Sequence, residues 1–174
     1  EDLMQGLEAS GMLERAIEFL PSTEEMAERS RNGSGMSRPE LCVLMAYAKR
    51  AIKDEVLASS LPDDPYLDHE LRAYFPPAII ERFGYLVPEH PLRRELVAMI
   101  VANEVVNAQG ITFVSRLATE TGAVPADVVR AFWVARETTG AVPRWQAIEA
   151  LDGRRDPELQ IELMHGADEV VGGV

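Results

Sequence analysis

A single cysteine, Cys42, is present, so no internal disulfide can form, which suits a reducing cytoplasm. Histidines number 3, at His69, His90 and His165, and none lies at ligand spacing from Cys42 or from another histidine. A zinc site needs about four converging donors, so no metal site is expected. Positive charge is the scarcer sign, with 17 Lys and Arg against 29 Asp and Glu and a net charge of −12. Surfaces that hold phosphates need clustered cations. None is found here, so neither nucleic acid nor an anionic membrane is an expected partner. No apolar run approaches the ~20 residues that span a bilayer, and no signal-peptide pattern is visible. No GxGxxG follows a strand and no phosphate-loop lysine occurs, which excludes the usual nucleotide sites. Alternating apolar and polar residues are missing too, and Val105-Val106 and Val128-Val129 sit inside helical periodicity. The fold class is all-α.

The stretch from Pro91 to Gly110 organises what is present. Its run from Leu96 to Ala102 is entirely apolar, and a helix without a polar face must be enclosed by others. The expected architecture is a compact multi-helix bundle around this central helix, at about residues 91–109. At 100° per residue Leu92, Leu96, Met99, Asn103 and Asn107 share a stripe, which is expected to be buried. The ordinary role for the two amides is a bond to a neighbouring loop or to carbonyls near the helix end. The sharper alternative is contact with a ligand or partner domain. Gly110 ends the helix and Thr112 can cap the next, from Phe113 to Thr121.

Upstream, apolar spacing predicts a helix from Leu3 to Leu20, weakened by Gly6 and Gly11. Ser22 to Glu25 reads as a capping box, opening a polar helix that ends near Asn32-Gly33. Residues 1–33 therefore form an N-terminal helical hairpin, able to link to a preceding domain, and 34–174 form the main domain. The chain opens on Glu1 without an initiator methionine and is read as a piece of a longer polypeptide. Ser37-Arg38-Pro39-Glu40 is a second capping box, with Pro39 in the first turn where its missing N–H costs nothing. The helix that follows, to about Ser59, carries Leu41, Leu44, Met45, Ala48 and Ile52 on one stripe.

Short helices are expected after Asp64-Pro65 and over Pro77 to Phe83. Thr121-Gly-Ala-Val-Pro125 recurs as Thr139-Gly-Ala-Val-Pro143, read as repeated punctuation that starts helices at Pro125 and Pro143. A last helix is expected from Asp156 to about His165, with a frayed Gly172-Gly173 tail. The spacing between Leu117 and Arg130 imitates a helix-turn-helix. Its second helix, however, offers Phe132, Trp133 and Val134, which need burial, and Asp127, which would face phosphates. Helix-hairpin packing is the better reading.

Ser37-Arg-Pro-Glu-Leu-Cys-Val-Leu-Met-Ala-Tyr-Ala-Lys49 is similar to the stretch TRPELAVLLAYAK of the large bacterial NAD-dependent glutamate dehydrogenases. Leu61-Pro-Asp-Asp-Pro-Tyr-Leu67, Tyr74-Phe-Pro76, Leu92-Arg-Arg-Glu95, Asn103-Glu-Val-Val-Asn107 and Gly110-Ile-Thr-Phe113 resemble successive landmarks of the same region. The resemblance covers about residues 33–151. Ser37 replaces the family's Thr and Cys42 its Ala. In that family the region follows the catalytic domain, near the C-terminus of a very long polypeptide. The resemblance implies a parent that oxidises L-glutamate with NAD and water to 2-oxoglutarate, ammonia and NADH. It also implies a cytoplasmic homo-oligomer, a tetramer, with regulatory domains upstream. It places catalytic lysine, general base and NAD site before Glu1, so no catalytic, cofactor-binding or metal residue is assigned to this chain. Ser37, Pro39, Glu40, Asn103, Asn107, Gly110 and Thr112 are the structural or interface candidates.

The segment's partners are then the catalytic domain of its own chain and other subunits. It acts either as a structural and assembly module or in allostery. An exposed apolar patch favours the first, and a closed polar pocket near Asn103 the second. The alternative to an enzymatic parent is a stand-alone all-α interaction domain.

Overall fold

Ser37 sets the frame for the longest helix. Its side chain accepts from the Glu40 N–H at 3.5 Å while Glu40 Oε2 accepts from the Ser37 N–H at 2.6 Å. Two orphan donors are thereby satisfied reciprocally, with Pro39 in the first turn. In the computed structural model, which describes residues 1–173, ten α-helices and no strand occur among those residues. They are α1 (Asp2–Ala9), α2 (Thr23–Arg31), α3 (Arg38–Ala58), α4 (Asp68–Tyr74), α5 (Pro77–Phe83) and α6 (Arg93–Gln109), followed by α7 (Phe113–Thr121), α8 (Pro125–Thr138), α9 (Ala141–Glu149) and α10 (Pro157–Gly172). Short 3-10 turns cover Leu61–Asp63, Pro65–Leu67 and Gly84–Glu89.

The central position expected for 91–109 is held by α6, against which α3, α4, α8 and α10 all pack. Its buried face differs from the expected one. Val97, Ala98, Val101, Ala102, Val105 and Val106 are the enclosed residues. Leu92 is 55% exposed, Leu96, Met99 and Asn103 are half-buried, and Asn107 is exposed. Leu92 thus faces outward and Leu96 and Met99 lie at the margin of the core, while smaller valines and alanines face inward. The reason is close approach: Ala98 and Ala102 let α6 lie against neighbours that bring bulk of their own, such as Leu71, Phe132 and Trp133. The same selection operates on α3, where Leu44, Ala48, Ile52 and Val56 are buried but Leu41 and Met45 are exposed.

Residues 1–33 build a smaller cluster in which Met4, Leu7, Leu13 and Leu20 meet Leu44 of α3. The continuous helix expected from Leu3 to Leu20 does not form. α1 stops at Ala9, and the chain turns at Gly11 with φ +71°, which only glycine adopts at no steric cost. What fixes the irregular stretch is Arg15, 8% exposed, which donates to Glu8 at 2.7 Å, to Glu1 at 2.9 Å and to the Pro21 carbonyl at 3.2 Å. The Ser22 capping box opens α2 as expected.

The repeated pentapeptide takes two conformations. Gly122 closes α7 with φ +74°, Val124 is extended, and Pro125 opens α8. Gly140, with φ +63°, directly precedes α9, whose first residues are Ala141 and Val142, so Pro143 enters as its third. Val142, before Pro143, is helical despite the extended preference of that position, and Ala141 beside it is buried at 1% exposure in the main core. The helix-turn-helix imitation is hairpin packing, with Phe132 and Trp133 buried; Val134, expected inside, is 59% exposed. α10 runs well past His165, and Val171 is buried, so the helix extends through Gly172.

Candidate functional site

α8 buries Val129, Phe132 and Trp133, and Arg136 lies on the same face in the last turn. A guanidinium only 7% exposed cannot remain unpaired. Arg136 Nη1 donates to Glu70 Oε1 of α4 at 2.9 Å and to Glu137 Oε1 at 2.7 Å. Its Nε lies 3.4 Å from Glu104 Oε1 of α6, an ion pair without hydrogen-bond alignment. Its Cζ sits 4.4 Å over the Trp133 ring, a cation–π contact. One cation therefore ties three helices through three carboxylates.

Charge in this hub is unevenly satisfied. Burial pushes the Glu104 carboxyl above the usual range, Arg136 opposes that shift, and the like charge of Glu70 adds to it. His69, Glu70 and Glu137 place donor atoms within 4.8 Å of one another. His69 Nε2 is 3.2 Å from Glu70 Oε1, and its Nδ1 meets the Tyr66 carbonyl. The Arg136 guanidinium supplies positive charge to both glutamates. The arrangement is a cluster of ion pairs that joins α4, α6 and α8.

The sequence candidates lie elsewhere. Ser37, Pro39 and Glu40 stand at the start of α3, where Arg29 of α2 donates through Nη1 to Glu40 at 2.9 and 3.1 Å. That pairing, together with the Ser37 contacts, holds the Glu40 carboxyl down at about 2. Asn103 makes no side-chain hydrogen bond among the described residues and stands apart. Asn107 does not bond the chain reversal: its Oδ1 accepts from Lys49 Nζ of α3 at 2.8 Å, on the surface. Gly110 ends α6 with φ +82° and ψ 170°, a conformation that side-chain-bearing residues rarely adopt. Thr112 precedes α7 but makes no side-chain cap.

Two open clefts flank these residues. One of about 770 Å³ lies between α1, α3 and α7, with Ala48, Ala51 and Ile52 among its walls and Thr112 at its edge. The other, about 680 Å³, runs between the end of α6 and α10 and includes Asn107, Gly110 and His165. Gln109 crosses beside it, donating to the Asp168 carbonyl at 2.9 Å. Asn103 borders neither cleft.

Sequence reasoning missed the Arg136 hub because its members are scattered between positions 69 and 137. The available signal was charge on buried faces: Arg136 continues the Val129–Trp133 stripe, and Glu104 interrupts the apolar center of α6.

Fold and hub together define an all-α helical module whose buried polar center ties α4, α6 and α8 together. A family model described as "Glutamate dehydrogenase, C-terminal" matches residues 33–173. The chain belongs to that family. An NAD-specific glutamate dehydrogenase of Halomonas elongata is 43% identical over 158 residues, covering 91% of this chain and 10% of the relative. Its namesake in Pseudomonas aeruginosa is 44% identical over 163 residues, with 93% and 10% covered. The Mycobacterium tuberculosis protein of that name is 41% identical over 136 residues, covering 78% and 8%. The chain thus spans about a tenth of the length of the curated relatives it matches.

Proposed function

We propose that this chain is the C-terminal helical module of an NAD-dependent glutamate dehydrogenase and serves as a non-catalytic docking and assembly element. The parent reaction is oxidative deamination of L-glutamate by NAD and water to 2-oxoglutarate, ammonia and NADH. NAD and glutamate bind outside residues 1–173, in a cytoplasmic homo-oligomer, a tetramer. Family membership supports the parent. The observation that carries the docking role is one proline-rich corner of the fold with large exposed apolar side chains.

Between Tyr74 and Leu92 six large apolar side chains stand 41–72% exposed: Tyr74, Ile79, Phe83, Tyr85, Leu86 and Leu92. Pro76, Pro77, Pro88 and Pro91 stiffen this corner, and aromatic residues on a stiff frame are typical of interface centers. The stand-alone alternative lacks comparable support. An allosteric role is less well supported, since Asn103 lines neither of the two clefts described above.

Comparing the full-length parent with a form truncated before Ser37, for activity and for oligomeric state, tests the reading. Loss of assembly or of activity is expected. A truncated enzyme with unchanged turnover and unchanged oligomeric state overturns it.

A further inference from the structure

The outer face of α10 combines two rows. At 100° per residue Leu159, Leu163, Gly166 and Val170 fall within about 60° of one another, in 4-3-4 spacing. Leu159, Leu163 and Val170 are 45, 43 and 43% exposed, and a Cβ at Gly166 would meet nothing within 4 Å. α10 is already anchored by its other face, where Val171 is 3% exposed and Gln160 donates to the Ile148 carbonyl at 3.0 Å. The outer apolar row is therefore surplus to the bundle. Beside it run Glu158, Glu162 and Glu169, all exposed and none in an ion pair among the described residues. The helix contains no Lys or Arg.

We infer that this face docks on an apolar surface flanked by Lys or Arg, carried by the remainder of the parent polypeptide outside these residues. Three observations select that occupant. A second copy of α10 would oppose glutamates to glutamates, in a chain of net charge −12. Three side chains and a glycine cover far less than the about 800 Å² per partner of a stand-alone interface, so the contact needs a tethered partner at high effective concentration. Most of the length of the relatives lies outside the matched region and can supply one. The inference rests on the proposed docking role and adds its second surface and the chemistry of that surface.

The test uses the purified full-length parent. Hydrogen exchange of residues 157–172 is followed in wild type and in E158K/E162K/E169K, where about tenfold faster exchange is expected. E169K alone separates docking from helix strength, because a cation near the C-terminal end strengthens a helix. Faster exchange in E169K is expected, and slower or equal exchange overturns the inference. Carbodiimide coupling gives the partner: within this chain the only lysines are Lys49 and Lys53. Links from α10 glutamates to lysines elsewhere in the parent support the inference. Links confined to Lys49 or Lys53, with exchange unchanged by the triple reversal, overturn it. If truncation before Ser37 is harmful while exchange is unchanged, this inference alone falls. Harmless truncation removes the docking role itself.

Discussion

Arg29 Nη1 meets both carboxylate oxygens of Glu40, at 2.9 and 3.1 Å, joining α2 to the capping box of α3. The same carboxylate accepts the Ser37 N–H, so one side chain fastens a helix end and a neighbouring helix. Its pKa falls from 4.5 to about 2, chiefly through Arg29 and then through Ser37. A carboxyl depressed in the folded state stabilises fully above its unfolded pKa. That contribution is lost as pH falls from about 4.5 to about 2. Wild type should therefore melt above Glu40→Gln at pH 6, with the gap closing toward pH 2. A constant gap across that window counts against the pairing.

The hydroxyl arm of the same box is tested separately. Ser37→Ala should cost about 0.5–2 kcal/mol and Ser37→Thr almost nothing, since threonine also caps. Denaturant melts of the two variants decide, and equal losses would rule out a hydroxyl cap.

Arg136 predicts the opposite pH sign. Arg136→Met keeps bulk and removes the cation, leaving Glu104 and Glu70 with uncompensated charge, at about 3–5 kcal/mol near neutral pH. Glu104 already has a raised pKa, so its ionisation weakens the fold as pH rises through that value. The defect of Arg136→Met should therefore shrink on acidification, and Glu104→Gln in the same chain should recover part of it. Urea midpoints at pH 7 and pH 5 measure this. A pH-independent defect would leave only lost packing on Trp133 as its cause.

The two faces of α6 give a third contrast. Val101, fully buried, should cost about 2 kcal/mol or more on change to Ala. Met99→Ala, on the outer side, should cost under about 1 kcal/mol. Asn107→Leu removes only an exposed bond to Lys49 and should shift the melt by within about 0.5 kcal/mol. A large loss in Asn107→Leu would restore a structural role for that amide.

The chain alone should not bind NAD, because no phosphate-cradling glycine loop follows a strand. Calorimetric titration checks this, and saturable micromolar binding would contradict it.

Helix ends were the most legible part of the sequence. The boxes at Ser22 and Ser37, Gly110 after α6 and Pro125 before α8 act through neighbours a few residues away, so local chemistry determines them. Which face of a helix turns inward was less legible. Leu92, Leu96 and Met99 are more hydrophobic than Ala98 and Ala102, yet inward space on α6 is decided by how closely α3 and α8 approach. The same holds for Arg15 and Arg136. Each is recognisable as structural only once distant glutamates converge on it, and no spacing rule joins Glu70, Glu104 and Arg136. The candidate site was illegible for that reason, and Asn107 was misread as an inward amide because its stripe was.

Ile111, directly after Gly110, packs against both apolar clusters. One aliphatic side chain is thus a shared wall between the residue 1–33 cluster and the main core. Denaturant that loosens either cluster strips contacts from Ile111 and weakens the other. Trimming it to alanine should broaden the calorimetric transition, because the two clusters lose a common support. The two cores thus share a single aliphatic side chain at the exit of the central helix.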